Sequence, residues 1–283
     1  MYRISPFTPI FFSPSGDRHG PQPKCVQVFT NTDRILVEVI ATGEVTAPPA
    51  MVIRDILHGD EASYTWRRWA MNAGTTLYFT ELQGMDDGMY SASIGNRESE
   101  AFVVSSDESV LQDTVLLQYS NRDNRQRNDA MFWIDGMQRF FDFRIPGGFK
   151  DDNWTFAVSN EQFTTSDNDR IDLYGQESTV KALTIGNSEG CPVWFADLVN
   201  RLLCCNYVYV DQVRYTRNES EVPEMNREIE GLKSYIFTQG LQRVVNLDPV
   251  LESRNILMMR REENGDDIYR ETAMGNEVFN LIV

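Results

Sequence analysis

Apolar and polar positions alternate in short runs along most of the chain. Over residues 25–108, turn signals recur roughly every ten residues, the spacing of an antiparallel sandwich. Val26, Val28 and Phe29 begin the first run. Ile35, Val37 and Val39 alternate with Leu36, Glu38 and Ile40, so both faces of this strand carry apolar residues. Met51–Ile53, Tyr64–Trp69, Leu77–Phe79, Met89–Ile94 and Ala101–Val104 complete the set. The polar stretch 105–110, Ser-Ser-Asp-Glu-Ser-Val, marks a domain boundary.

The densest pattern follows at 111–150. Val115–Tyr119 reads as a strand, then an Asn/Asp/Arg loop, then Met131–Ile134, Asp135-Gly136 and Met137–Ile145. Asp-Gly between two β-prone runs predicts a hairpin, because a type I′ turn needs positive φ at both central residues. In Met131–Ile134 both sides of the strand are apolar, as in a core element. Pro146-Gly147-Gly148 ends the run as a turn. Residues 151–178 are polar with scattered aromatics and read as a long loop of the kind that meets other molecules. Val180–Ile185 is a strand. The spacing of Trp194, Leu198 and Leu202 beside Phe195 and Val199 predicts an amphipathic helix over 191–205, with Pro192 in its first turn. Tyr207–Tyr215 predicts a second hairpin, 217–231 a charged loop and Tyr235–Val245 a strand.

The two ends differ from the middle. Residues 1–24 hold prolines at 6, 9, 14, 21 and 23 and the aromatics Tyr2, Phe7, Phe11 and Phe12. They form an extended arm that packs on its own domain or on a neighbouring subunit. Residues 246–283 form a C-terminal arm with an Asn264-Gly265 hairpin signal and an apolar finish, Val278–Val283.

The 283 residues suffice for two modest domains with a sizeable core. No apolar run spans a membrane, so membrane insertion is not expected. The N-terminus lacks the pattern of a signal peptide, which points to synthesis and use in, or assembly from, the cytoplasm. Net charge is −16, a poor grip on nucleic acid, where affinity comes from Lys and Arg. Cys25, Cys191, Cys204 and Cys205 are too few for a disulfide framework and read as buried thiols.

No constellation carries catalysis. Two histidines, at 19 and 58, supply no triad or zinc site. Phosphate-binding, nucleophile-elbow and metalloprotease motifs are absent. Asp167, Asp169 and Asp172 lack the glycine and distal Glu of a calcium loop and read as solvated charge. Neither metal nor cofactor is expected.

The runs LLQYSNRDN, FWIDGMQRFFDFRIPGGF, TIGNSEGCPVWFADLVNRLLCC, VYVDQVRYTR and YIFTQGLQ carry a resemblance. Over roughly residues 1–245 the chain resembles tail or baseplate structural proteins, distal-tail or tail-tube-like, of Bacteroidales phages and prophages. It departs from better-known distal-tail proteins, which put the ring module first; here a sandwich precedes it.

The strand spacing over 25–108, closing on DGMYSASI and EAFVVS, has the look of an immunoglobulin-like β-sandwich, and the resemblance implies that a sandwich or split-barrel domain with one packed helix (109–245) follows it. It implies a virion protein without enzymatic activity. It would form a ring such as a hexamer, contact other tail proteins and let DNA pass without binding it. Candidate interface residues are Phe7, Phe11, Phe12, Arg122, Arg125, Arg127, Trp154, Phe163, Phe279 and Ile282. Two other readings are a carbohydrate- or receptor-binding adhesin using Trp66, Trp69 and 151–178, and a glycan hydrolase using acids of that loop.

Overall fold

A computed structural model describes residues 2–13, 26–43, 47–72, 74–125, 127–188, 190–218, 224–229, 234–244, 258–261, 268–272 and 275–279. The chain is mainly β. Its first part contains β1 (Tyr2–Ile4), β2 (Phe12–Ser13), β3 (Gln27–Phe29), β4 (Ile35–Thr42), β5 (Met51–Asp55) and β6 (Glu61–Tyr64). It continues through β7 (Arg67–Asn72), β8 (Thr75–Leu82), β9 (Gly88–Ile94), β10 (Arg97–Ser99) and β11 (Phe102–Val104). One sheet has the order β1-β4-β8-β7. In the other, β5 lies between β6 and β9, while β10 and β11 line the far edge of β9 in succession. These are the A-B-E-D and C′-C-F-G orders of an immunoglobulin-type sandwich. The N-terminal segment joins both sheets: β1 pairs with β4 and β2 with β10. The described part of the arm is therefore integral to the sandwich, because its apolar residues and open backbone groups find partners there.

The alternation in β4 sorts its side chains between two cores. Ile35, Val37, Val39 and Ala41 point into the sandwich with Phe29, Met51, Ile53 and Phe102. Leu36 and Ile40, with Leu77 and Phe79 of β8, face the second unit and join its core. A strand apolar on both faces is one buried on both faces.

The second unit begins with α1 (Glu108–Leu111), a single turn capped by the Asp107 side chain. Then come β12 (Thr114–Ser120), β13 (Trp133–Ile134), β14 (Met137–Gln138), β15 (Phe141–Thr164) and β16 (Arg170–Ile185). They are followed by α2 (Val193–Leu202), β17 (Tyr207–Val210), β18 (Val213–Arg217), β19 (Glu224–Ile229) and β20 (Ser234–Arg243). The order β16-β15-β12-β17-β18-β20, with β16 also paired to β20, closes six strands into an antiparallel barrel. Closure removes the sheet edges that an open sheet would expose. α2 packs on the barrel through Trp194, Phe195, Leu198, Val199 and Leu202. A meander of β21 (Met258–Arg261), β22 (Ile268–Thr272) and β23 (Gly275–Phe279) lies in the C-terminal arm; the Asn264-Gly265 turn signal falls outside the described residues.

Several sequence expectations are corrected. Residues 151–178 are not a loop: they belong to β15 and β16, which pair antiparallel out to Thr164 and Arg170. The charged stretch 217–231 contains β19, which pairs with β20. The helix is shorter than 191–205, because Pro192 is its N-cap and the backbone leaves it at Leu203. Met137–Ile145 is two strands, β14 and the start of β15. Of the thiols, Cys191 is buried but Cys204 is exposed, and Cys25 lies outside the described residues. Two turn expectations hold, since Asp135 and Gly136 have φ 54 and 74 and Asp211 and Gln212 have φ 45 and 70, but Pro146-Gly147-Gly148 is not a turn ending the run, because β15 continues through it.

The two units share one core through the N-terminal segment. Phe7 is fully buried and meets the rings of Tyr119, Phe132 and Phe141 at centroid distances of 6.1, 5.5 and 6.3 Å. Tyr119 donates its hydroxyl to the Phe7 carbonyl at 2.5 Å, and Ser5 Oγ donates to the Asp129 carbonyl at 2.6 Å. Across the junction Arg144 makes a bidentate pair with Asp33 at 2.8 and 2.9 Å, and Arg139 reaches Glu81 at 3.3 Å.

Two buried carboxyls sit in the same junction. Glu38 of β4 is completely buried; its Oε2 accepts from the Met131 N–H at 3.3 Å, and burial raises its pKa well above the usual carboxylate range. Asp142 of β15 accepts from the Arg34 N–H and from Gln118 Nε2, each at 2.9 Å. Those bonds favour the charged form, but burial outweighs them and, with Asp33 nearby, pushes Asp142 up to about 6.

Two predictions follow from this junction. A carboxyl whose folded pKa is raised holds a proton that the unfolded chain releases. Stability from Asp142 should therefore fall as pH rises from about 4 to about 6, then level off. Asp142→Asn keeps a partner for Arg34, and its amide can donate to a turned Gln118, whose Oε1 has no partner among the described residues. Urea unfolding at pH 4.5 and 7.5 should show the variant gaining on the wild type by about 2 kcal/mol at the higher pH; an unchanged difference would exclude this role. Phe7→Ala should cost about 3–5 kcal/mol and open the 5–11 segment to protease; a loss below about 1 kcal/mol would show that the ring does not bind the units together.

Candidate assembly surface

The outer part of β15 and β16 stands away from the barrel as a two-stranded ribbon. Among the described residues, β12 pairs with β15 only as far as Pro146, and β20 pairs with β16 only from Val180 onward. Beyond those points each strand of the ribbon has the other as its sole neighbour among the described residues, from Phe156↔Thr179 to Thr164↔Arg170. The nine residues from Phe156 to Thr164 make a projection of roughly 30 Å. The base is set by Gly147, at φ 117, where a Cβ would collide with the Thr184 carbonyl. The tip is a tight turn: Thr165 N–H donates to the Asp169 carbonyl at 2.8 Å, Asn168 N–H donates back to the Thr165 carbonyl at 3.1 Å, and Asn168 has φ 63.

The ribbon presents apolar side chains to solvent. Phe156 is 73% exposed and Val158 65%, both on one face opposite Thr179 and Glu177. A register shift between Glu161 and Gln162 precedes Phe163, 55% exposed, which stands opposite Ile171, 46% exposed. An isolated two-stranded ribbon is marginal in water. Two open backbone edges and four exposed apolar groups are the features that natural proteins cover or pair.

The candidate interface residues are scattered. Phe163 lies on this ribbon, as does the backbone of Trp154. Phe7 and Phe12 are core residues of this chain, and Phe11 stacks on Trp194 at 5.6 Å. Their proline-rich context suggested an exchanging arm, yet the sandwich and α2 supply them with partners. Arg127 is held by Asp129 at 2.9 Å and lies 4.6 Å over the Phe7 ring, so it braces the junction. Arg122 and Arg125 are exposed, on a loop tied down by Asn124, which bonds to Phe132 and Trp133. The Phe279 backbone ends β23 opposite Ile268; Ile282 lies outside the described residues. Trp66 donates to the Pro49 carbonyl at 2.7 Å and packs on the sandwich core, whereas Trp69 packs on the shared core, so the pair forms no common platform.

Sequence reasoning missed Phe156, Val158 and Ile171. The signal was the period-two alternation of Trp154, Phe156 and Val158 with Thr155, Ala157 and Ser159. No protein-family model and no curated protein matches the chain.

Replacing Phe156 by Ser and Val158 by Thr together should leave monomer stability within about 0.5 kcal/mol, since neither side chain is buried. Self-association followed by sedimentation velocity should weaken. Equal loss of stability and association would mean that these residues support the fold and not a contact.

Proposed function

We propose that this chain is a structural subunit of a bacteriophage tail or baseplate that assembles with copies of itself into a symmetric ring around the DNA passage. The observation that carries the reading is the projecting β15–β16 ribbon, with its open edges and exposed Phe156, Val158, Phe163 and Ile171. Such a ribbon gains partners for its backbone groups when a neighbouring strand edge or sheet completes it. The barrel carries it on a closed scaffold, and the sandwich is joined to that scaffold through a common core. The net charge of −16 suits a ring through which DNA moves, because basic walls would hold phosphates. The sequence resemblance to tail and baseplate proteins supplies the biological setting, in the virion.

The test is truncation of the ribbon. Replacing residues 156–179 by Asn-Gly joins Thr155 to Val180, a pair already in register, through a two-residue hairpin turn. Full-length protein should form rings visible by negative-stain electron microscopy, with a matching mass by light scattering. The truncated protein should remain a folded monomer. A full-length chain that stays monomeric at tens of micromolar, or a truncated chain that still forms rings, would sink the reading.

A further inference from the structure

A cleft of about 410 Å³ opens where the N-terminal segment crosses α2. Three parts of the fold build it: the segment from Tyr2 to Phe12, the sandwich at Thr42 and Arg97, and α2 from Trp194 to Arg201. No ribbon residue lines it. Its volume falls in the range of small-molecule sites, which are largely apolar recesses with a few placed polar groups.

One wall is aromatic. Phe11 is only partly buried and lies stacked on Trp194, with ring centroids 5.6 Å apart and planes inclined by 27°. Ile10 and Leu198 extend the apolar surface. Trp194 is 7% exposed, yet its indole N–H donates to no described residue. A buried indole N–H ordinarily finds an acceptor. The ring lines the cleft, so a bound molecule can supply one.

Arg201 forms the polar edge. It donates through Nη1 to the Pro6 carbonyl at 2.5 Å and through Nη2 to Asp197 at 2.6 Å. A guanidinium carries five N–H groups, so these two bonds hold its plane and leave donors over. Charge in the cleft is balanced: Arg201 is matched by Asp197, Arg3 lies by Asp129, and Arg97 is engaged by the protein. The recess therefore offers directed donors without a surplus of positive charge. That combination suits a neutral molecule with many acceptors and one flat apolar face. A pyranose has both, since its C–H face lies on an aromatic ring while its oxygens point to the edge.

We propose that this cleft binds a neutral sugar ring, stacked on Phe11, whose oxygens accept from Trp194 Nε1 and from Arg201. The site is separate from the ribbon and does not depend on the assembly reading.

The experiment is saturation-transfer NMR on the full chain with glucose, galactose, mannose and N-acetylglucosamine in separate samples, then titration calorimetry of each sugar that binds. At least one should bind. Thr42→Trp sets a large ring at an exposed position of the rim and should abolish that binding. Trp194→Phe keeps an aromatic ring, removes the N–H and should weaken binding by about fivefold. Circular dichroism verifies the fold of each variant; if one fails to fold, the other decides. Inorganic phosphate should not compete. The proposal is overturned if none of these sugars binds the folded wild type, or if either folded variant keeps full affinity. Displacement of the sugar by phosphate also overturns it, by making the recess an anion site. Ring formation, present or absent, bears on the ribbon alone.

Discussion

The structure depends on one insertion: Phe7 of the N-terminal segment placed between a sandwich and a barrel. The outer face of β4 and β8 is apolar, and so is the barrel wall that carries Tyr119, Phe141 and Phe143. Neither could face water without exposing a patch large enough to drive aggregation. Phe7 fills the gap, and the carbonyls of Pro6 and Phe7 are taken by Arg201 and Tyr119. A backbone that crosses a core needs such partners, because an unpaired buried carbonyl costs about 1–3 kcal/mol. The result is a single core spanning both units.

The charged groups at the same junction act on geometry more than on stability. Arg144 and Asp33 are both nearly buried, and an ion pair in that setting roughly repays its own desolvation. Its bidentate form nevertheless admits one relative placement of β15 and the turn before β4. Glu38 and Asp142 reinforce this. Each is a carboxyl where an apolar side chain would pack with less penalty, and each bonds to a backbone N–H of the opposite unit, Met131 or Arg34. A slipped arrangement would leave these carboxyls buried without partners, so the junction is specified by what it excludes.

How much of this was legible follows from what each element is made stable by. The sandwich was readable because its faces are buried and its turns carry their own chemistry. The amphipathic stripe gave α2, and apolar residues on both faces of β4 announced burial on both sides. The 151–178 stretch was not readable, since none of its described side chains is buried within the chain. Its strands are held by each other's backbone, so Thr, Ser, Asn and Gln occupy positions where a core strand would show Val or Ile. The destination of Phe7 was equally hidden. Its partner Tyr119 is 112 residues away, and a Pro-flanked aromatic says only that a ring must be buried somewhere.

The ribbon and the charge of the chain are best understood together. Exposed apolar residues and open strand edges favour association with any comparable edge, including wrong ones. A net charge of −16 opposes close approach of two copies in most orientations. Moderate salt screens charges separated by more than about 8–10 Å, which is the repulsion between whole subunits. It acts far less on apolar groups and strand edges in contact. The same ionic conditions that let copies approach would therefore spare the contact that orients them. An acidic surface around an apolar ribbon separates the question of whether subunits meet from the question of how they fit.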